Sequence, residues 1–226
     1  MAGVFTVLGL GILLKLGFWQ VERLAWKEEI LARIETNMTG EPVTLPPFDL
    51  DMNLEYSPAC LEGEFLHAKE LYLFASNQQG VGGIHIYTPL VHESGSTIIV
   101  NRGWIPNALK NPETRKAGQV TGPHKICGVI RFNRTKSYVT PENNPGENRW
   151  FTPEVKAMAM SVGIQKISLF FLDADEAKNP GGYPLGGQTF INIPNNHLGY
   201  AITWFGLALA LLGVFTIFVF SQKRKK

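Results

Sequence analysis

Four residues near the start of the last apolar segment are spaced so that they share one face of a helix. His197, Tyr200, Trp204 and Leu207 follow one another at intervals of three, four and three residues, which places them in one stripe. A neutral imidazole at the head of this stripe could bind the iron of a porphyrin, and the aromatic rings could cover the macrocycle. The alternative is an interfacial belt, with His, Tyr and Trp at the depth of the lipid headgroups. One histidine supplies only one ligand, so the residues alone favour the belt.

The two cysteines, Cys60 and Cys127, are the other residues with metal or redox chemistry. Neither lies in a CxxC or another spacing typical of metal ligands. They could form a disulfide in an oxidising compartment, or remain two independent, half-buried thiols. A role as copper ligands is a third possibility, but no accompanying ligand motif supports it.

Motifs of the common enzyme classes are absent from the sequence. It contains no GxSxG, no HExxH, no P-loop and no GxGxxG after a predicted strand. The glycines between Gly80 and Gly83 are typical of a turn. The sequence therefore predicts a protein that is not an enzyme and has no catalytic residues.

Two apolar runs flank the rest of the chain of 226 residues. The first extends from Ala2 to Phe18 with one charge, and the second from Leu198 to Phe220 with none. About 20 apolar residues in a helix cross a bilayer, so both runs predict membrane spans. The predicted organisation is a first transmembrane helix (1–18), an amphipathic helical stalk (19–40), a β-rich domain (41–197), a second transmembrane helix (198–220) and a basic tail (221–226).

The tail Lys223, Arg224, Lys225 and Lys226 indicates the topology. Positive charge beside a span favours the cytoplasmic side, so both termini are expected in the cytoplasm and the main domain in the periplasm. A cleaved signal peptide is the alternative for the first run, but a basic n-region and a suitable cleavage site before Trp19 are missing. Because no transit peptide precedes the first span, we expect a multi-pass protein of a bacterial inner membrane.

The charge balance of the central domain argues against a nucleic-acid partner. The chain has 21 basic and 19 acidic residues. Five of the basic residues lie in or beyond the spans, which leaves 16 against 19 acidic residues and a net charge of −3 between Trp19 and His197. A protein that binds nucleic acid would need a basic face on this domain.

The central domain has the pattern of short strands. Segments rich in Ile, Val, Phe and Tyr, bounded by Gly, Pro, Asn or Ser, predict strands at 59–66, 70–75, 83–92, 97–104, 125–133, 166–172 and 188–193. A hairpin turn is expected at 93–96 and a helix at 153–162. The predicted fold class is therefore membrane α + β: two terminal transmembrane helices around a mainly antiparallel β-barrel or sandwich with helical decoration.

Four segments together carry a family resemblance. They are Gly17-Phe18-Trp19-Gln20 with Arg23 and Lys27, Thr88-Pro89-Leu90 followed by Val100-Asn101-Arg102-Gly103-Trp104-Ile105-Pro106, Gly181-Gly182-Tyr183-Pro184, and the segment from Asn195 to Phe205. The chain resembles the Surfeit-locus-one (Surf/Shy) family of cytochrome c oxidase assembly factors over essentially its whole length.

The resemblance implies a membrane protein that binds heme a and assists its insertion into cytochrome c oxidase subunit one, alongside the heme a synthesis machinery. The family's candidate iron ligand matches His197, and the aromatic residue beside it matches Tyr200; Trp204 follows on the same stripe. Arg102 is a candidate partner of a heme propionate, although a structural salt bridge is the commoner role of such an arginine. The alternative function is a scaffold without a cofactor, which stabilises an oxidase assembly intermediate.

Overall fold

The computed structural model describes residues 1–43, 52–133, 136–189 and 194–224. The chain divides into a helical unit of residues 1–33 and 192–226 and a sheet unit of residues 34–191. The α-helices are α1 (Ala2–Met38), α2 (Val155–Ser161) and α3 (His197–Arg224). Short 3-10 segments occur at Met52–Leu54, His67–Lys69, Asn107–Leu109, Pro112–Gly118, Pro145–Glu147 and Pro180–Gly182.

Helices α1 and α3 are both long and apolar enough to cross a membrane. Helix α1 continues past the first apolar run to Met38, because residues 19–38 contain neither Gly nor Pro. It ends where Thr39 bonds back to the Glu35 carbonyl and Gly40 follows. Helix α3 begins after Pro194, and the Asn196 carbonyl accepts its first backbone hydrogen bond, from Tyr200.

Among the described residues of the sheet unit there are seven strands. They are β1 (Pro58–Phe65), β2 (Leu71–Ser76), β3 (Gly82–His92), β4 (Thr97–Ile105), β5 (His124–Phe132), β6 (Arg149–Trp150) and β7 (Ile167–Ala174). Strands β1, β5, β7, β4 and β3 pair in that order, and β3 pairs back to β1 to close a five-stranded barrel. All barrel pairs are antiparallel except β4 with β7. The sequence predicted a mainly antiparallel barrel or sandwich, and of these two alternatives the structure has the barrel.

Strand β3 is long enough to take part both in the closed barrel and in a sheet extension formed with β2 and β6. Its C-terminal end pairs with β1 and its N-terminal half with β2, which in turn pairs with the short β6. One apolar cluster fills the barrel, from β1, β3, β4, β5 and β7, and includes Leu90, Val100 and Phe170. A second cluster lies on the other face, where Met158 of α2 packs with Ile99 of β4. Each face of β4 is thus buried, as its run of apolar residues requires.

The predicted strands agree with six observed ones, and the hairpin turn at 93–96 is confirmed by the hydrogen bond from His92 to the Ser96 carbonyl. The predicted strand at 188–193 is wrong for Gln188 and Thr189, which are in no strand, and its last four residues lie outside the described residues. Strand β6 was not predicted, because two residues are too few for an alternating pattern.

Cys60 and Cys127 form a disulfide between β1 and β5. They lie directly opposite each other in the antiparallel register, with their Cα atoms 4.1 Å apart. Of the three possibilities that the sequence left open, the structure contains the disulfide.

Candidate functional site

His197 is the first residue of α3, and its ring is held by a residue of α1. Its Nδ1 lies 2.7 Å from Oε1 of Gln20, whose side chain is buried. An amide oxygen can only accept, so this contact is a hydrogen bond when Nδ1 carries the proton. The Nε2 atom of the neutral ring then has a free lone pair, which is the state that binds a metal ion.

The two helices also pack closely about one turn along α1 and two turns along α3 from this pair. Phe205 stacks edge-on against Phe18 with ring centroids 5.4 Å apart, and a Cβ placed on Gly17 would lie 2.6 Å from the Phe205 ring. On α3 the buried small residues are Ala201 and Ala208. His197, Ala201, Phe205 and Ala208 recur at helical spacing, so the histidine lies on the face of α3 that contacts α1.

Gly206, Ala210 and Gly213 of α3 have the spacing of small residues that often permits close helix packing. They do not provide the contact with α1. A Cβ on Gly206 or Gly213 would meet no atom within 4 Å, and the close approaches are made by glycines of α1. Sequence spacing identifies a face of small residues, but it does not say which helix uses such a face.

The predicted stripe runs along the border between the contact face of α3 and its exposed side. His197 and Trp204 are half-buried, whereas Tyr200 is 57% exposed and Leu207 is 48% exposed. Tyr200 and Leu207 therefore give the stripe an open apolar edge beside the histidine.

These residues fit one side of a heme. The imidazole supplies one axial ligand to iron, and exposed apolar side chains beside it suit a porphyrin face. In addition, Oδ1 of Asn195 is buried and accepts no hydrogen bond from the described residues. An orphaned acceptor two residues before the ligand is available to a donor on a bound molecule.

Arg102, the remaining predicted site residue, belongs to the sheet unit. Its side chain on β4 is 2% exposed, and it donates to the Gly118 carbonyl and to Asn179. Its Nη1 lies 3.7 Å from Oε1 of Glu70. The structural salt bridge, which was the alternative role of Arg102, is therefore present. Contact of Arg102 with a heme propionate stays a prediction.

Glu70 is the centre of this buried network. Arg115 binds both of its carboxylate oxygens, with Nη1 3.0 Å from Oε1, and Gln119 donates to it at 3.0 Å. Burial alone would raise the pKa of the carboxyl, but the His67 imidazole, the hydrogen bonds from Arg115 and Gln119 and the charge of Arg115 lower that pKa from 4.5 to about 2. Burial also lowers the pKa of Arg102 to about 10, so both groups are charged at neutral pH.

A cavity of about 420 Å³ lies beside Arg102 in the sheet unit. Apolar side chains such as Phe65, Val120 and Ile126 line it, together with Lys125, Lys178 and the carboxylate of Asp175. With Arg102, the cations outnumber this one carboxylate, so the charge of the lining favours an anion.

The motif Asn101-Arg102-Gly103-Trp104 has a structural reason at each position. Asn101 donates to Asp173 at 2.8 Å, and its oxygen accepts from the Gly103 amide. Gly103 adopts a φ of 118°, and a Cβ there would lie 1.9 Å from the Leu185 carbonyl oxygen, so only glycine fits. Trp104 bonds to the same residue, Leu185, through its backbone. Sequence reasoning identified the motif but missed Glu70 and Arg115, which lie far from it along the chain.

Within the described residues there is no cluster of three or more His, Cys, Asp or Glu side chains that could hold a metal ion. The sulfur atoms of Cys60 and Cys127 are bonded to each other. Copper binding by these thiolates would require the disulfide to be reduced first.

Comparison with known proteins agrees with the resemblance read from the sequence. A model of the SURF1 family matches residues 7–209. Surfeit locus protein 1 of Mus musculus is 37% identical over 211 residues, covering 86% of this chain and 68% of the mouse protein, and that of Homo sapiens is 38% identical over 214 residues, covering 86% and 70%. The SURF1-like protein of Monosiga brevicollis is 34% identical over 212 residues, covering 88% and 80%. With nearly its whole length matched, the chain belongs to the SURF1 family.

Proposed function

We propose that this chain is an assembly factor for cytochrome c oxidase that binds heme a and assists its insertion into subunit one. Membership of the SURF1 family supports a role in oxidase assembly. The main observation in support of heme binding is the contact of His197 with Gln20, because it leaves Nε2 of the imidazole free to bind iron.

The same proposal assigns roles to the surrounding residues. His197 is the axial ligand, Tyr200 and Trp204 lie against the porphyrin, and Arg102 pairs with a propionate. Heme a is the cargo rather than a resident cofactor, and no enzymatic step is proposed. A single ligand at the head of an exposed apolar face suits a carrier, since such a site can also release its cargo.

We propose that α1 and α3 cross a bacterial inner membrane, with both termini in the cytoplasm and the sheet unit in the periplasm. Their length and apolar composition support membrane insertion, and the basic residues Lys223 and Arg224 at the end of α3 support the orientation. A disulfide in the sheet unit is compatible with an oxidising compartment. Partners on this proposal are subunit one, the heme a synthesis machinery and the lipid bilayer.

An optical spectrum of the full chain, purified in detergent from cells that make heme a, tests heme binding. We expect a Soret band in the wild type, its loss in His197→Ala, and its retention in the control His92→Ala, which changes a half-buried histidine at the end of β3. If His197→Ala retains both the Soret band and oxidase assembly, heme ligation by His197 is refuted and the scaffold alternative is favoured.

A further inference from the structure

We infer that Gln20 is a positioning residue that makes His197 competent to bind heme iron. This inference rests on the proposed function and concerns the same site. It follows from the 2.7 Å contact between Oε1 of Gln20 and Nδ1 of His197, because an imidazole has two nitrogens and only the unprotonated one can bind a metal ion.

The first step of the argument is the choice of tautomer. In a neutral histidine the proton is on either Nδ1 or Nε2. The Gln20 oxygen accepts a hydrogen bond only from an Nδ1–H ring, so the contact favours that tautomer and leaves Nε2 as the ligand atom. Without the acceptor, both tautomers are populated and a part of the protein presents a protonated Nε2.

The second step is the orientation of the ring. Gln20 is 8% exposed on α1, and the neighbouring turn of α1 is fixed by Gly17 against Phe205 of α3. A buried side chain on a packed helix has few rotamers, so the hydrogen bond also fixes the direction in which Nε2 points. Histidine ligands in metalloproteins commonly donate their other ring N–H to such a partner, and its loss typically lowers metal affinity by about 10–100-fold.

The test compares Gln20→Leu, which removes the acceptor at similar volume, with Gln20→Glu, which keeps an acceptor oxygen at the same position. Gln222→Leu is the matched control, because it makes the same change at an exposed position of α3. Nitrogen-15 NMR of histidine-labelled full chain in detergent, without heme, reports the His197 tautomer. Titration with heme a, followed by its absorption spectrum, reports affinity.

We expect the Nδ1–H tautomer in the wild type, Gln20→Glu and Gln222→Leu, and a mixture of tautomers in Gln20→Leu. Heme a affinity should fall by about 10–100-fold in Gln20→Leu alone. A merely structural role of Gln20 would not produce rescue by glutamate in both measurements.

The inference is overturned if the wild type carries the Nε2–H tautomer, or if Gln20→Leu changes neither the tautomer nor the affinity while His197→Ala still abolishes binding. That last result would leave the proposed function intact. If instead the wild type and His197→Ala bind heme a equally, the proposed function fails, and the role of Gln20 in heme binding fails with it.

Discussion

Glu70 holds two buried guanidinium groups in the sheet unit. Its side chain is 2% exposed, as is that of Arg102, and that of Arg115 is 3% exposed. Buried ion pairs contribute little net stability when complete, but removal of one partner leaves an uncompensated buried charge. Here one carboxylate faces two arginines, so its neutralisation would leave both without their counter-ion.

We predict that Glu70→Gln lowers the free energy of unfolding of the sheet unit by about 3–5 kcal/mol at pH 7. Urea denaturation of the full chain in detergent, followed by near-ultraviolet circular dichroism, measures the change. Glu113→Gln is the control: Glu113 pairs with Lys116 at an exposed site, and the unfolding midpoint should not move.

The stabilisation that the Glu70 carboxylate provides should depend on pH, in a direction that follows from its pKa. The folded-state pKa of Glu70 is about 2, below its ordinary 4.5. The carboxylate therefore stabilises the fold fully above pH 4.5, and this contribution is lost as the pH falls towards 2. The difference between wild type and Glu70→Gln should narrow over that interval. A difference that stayed constant from pH 7 to pH 3 would contradict the depressed pKa.

At the scale of the elements, local pattern was sufficient for most of the fold. Six strands, the hairpin turn and the continuous helix α1 follow from alternation, turn residues and the absence of breakers. Closure of the barrel could not be predicted in this way, because pairing of β1 with β3 depends on how the sheet coils. The contact partners of the site were also missed: Gln20 is 177 residues from His197, and Glu70 is 45 residues from Arg115. Spacing along one element carries no information about such pairs.

The contact between α1 and α3 gives a prediction for the helical unit. Gly17→Leu would place its side chain where the Phe205 ring lies, whereas Gly11 of the same helix has no atom within 4 Å of a Cβ. Overpacking costs about 1–3 kcal/mol, so Gly17→Leu should separate the helices and Gly11→Leu should not.

Cysteines introduced at Gly9 and Leu211 can measure this separation, because a Cβ on Gly9 would lie 3.2 Å from the Leu211 side chain. We expect oxidative crosslinking between them in the parent and in Gly11→Leu, and a reduced yield in Gly17→Leu. Equal yields in both leucine variants would show that the Gly17–Phe205 contact does not hold the helices together. Gln20 lies about one turn from Gly17 on α1, so heme a affinity should fall together with the crosslinking yield.

At the scale of the whole molecule, the disulfide and the basic tail bear on the same question of topology. The disulfide joins strands across 67 residues of sequence, and in the chain-entropy model such a link contributes about 4 kcal/mol. This stabilisation exists only where the compartment is oxidising. A sheet unit in the cytoplasm would hold two thiols on the paired strands β1 and β5 and would lose that contribution.

The redox state of the cysteines in cells therefore tests the proposed topology. Free thiols are blocked in spheroplasts, and the protein is then labelled with a polyethylene-glycol maleimide before or after treatment with a reductant that does not cross membranes. If the sheet unit is periplasmic, labelling of Cys60 and Cys127 requires the reductant, and the impermeant reductant is sufficient. Cys60→Ser provides the matched control, because its single remaining thiol cannot form the internal disulfide and should be protected by the block alone. If the two thiols are already free in cells, so that a membrane-permeant block prevents labelling even after lysis and reduction, the sheet unit lies on the cytoplasmic side. The basic end of α3 would then have to lie outside, against the distribution of charge that normally orients a span.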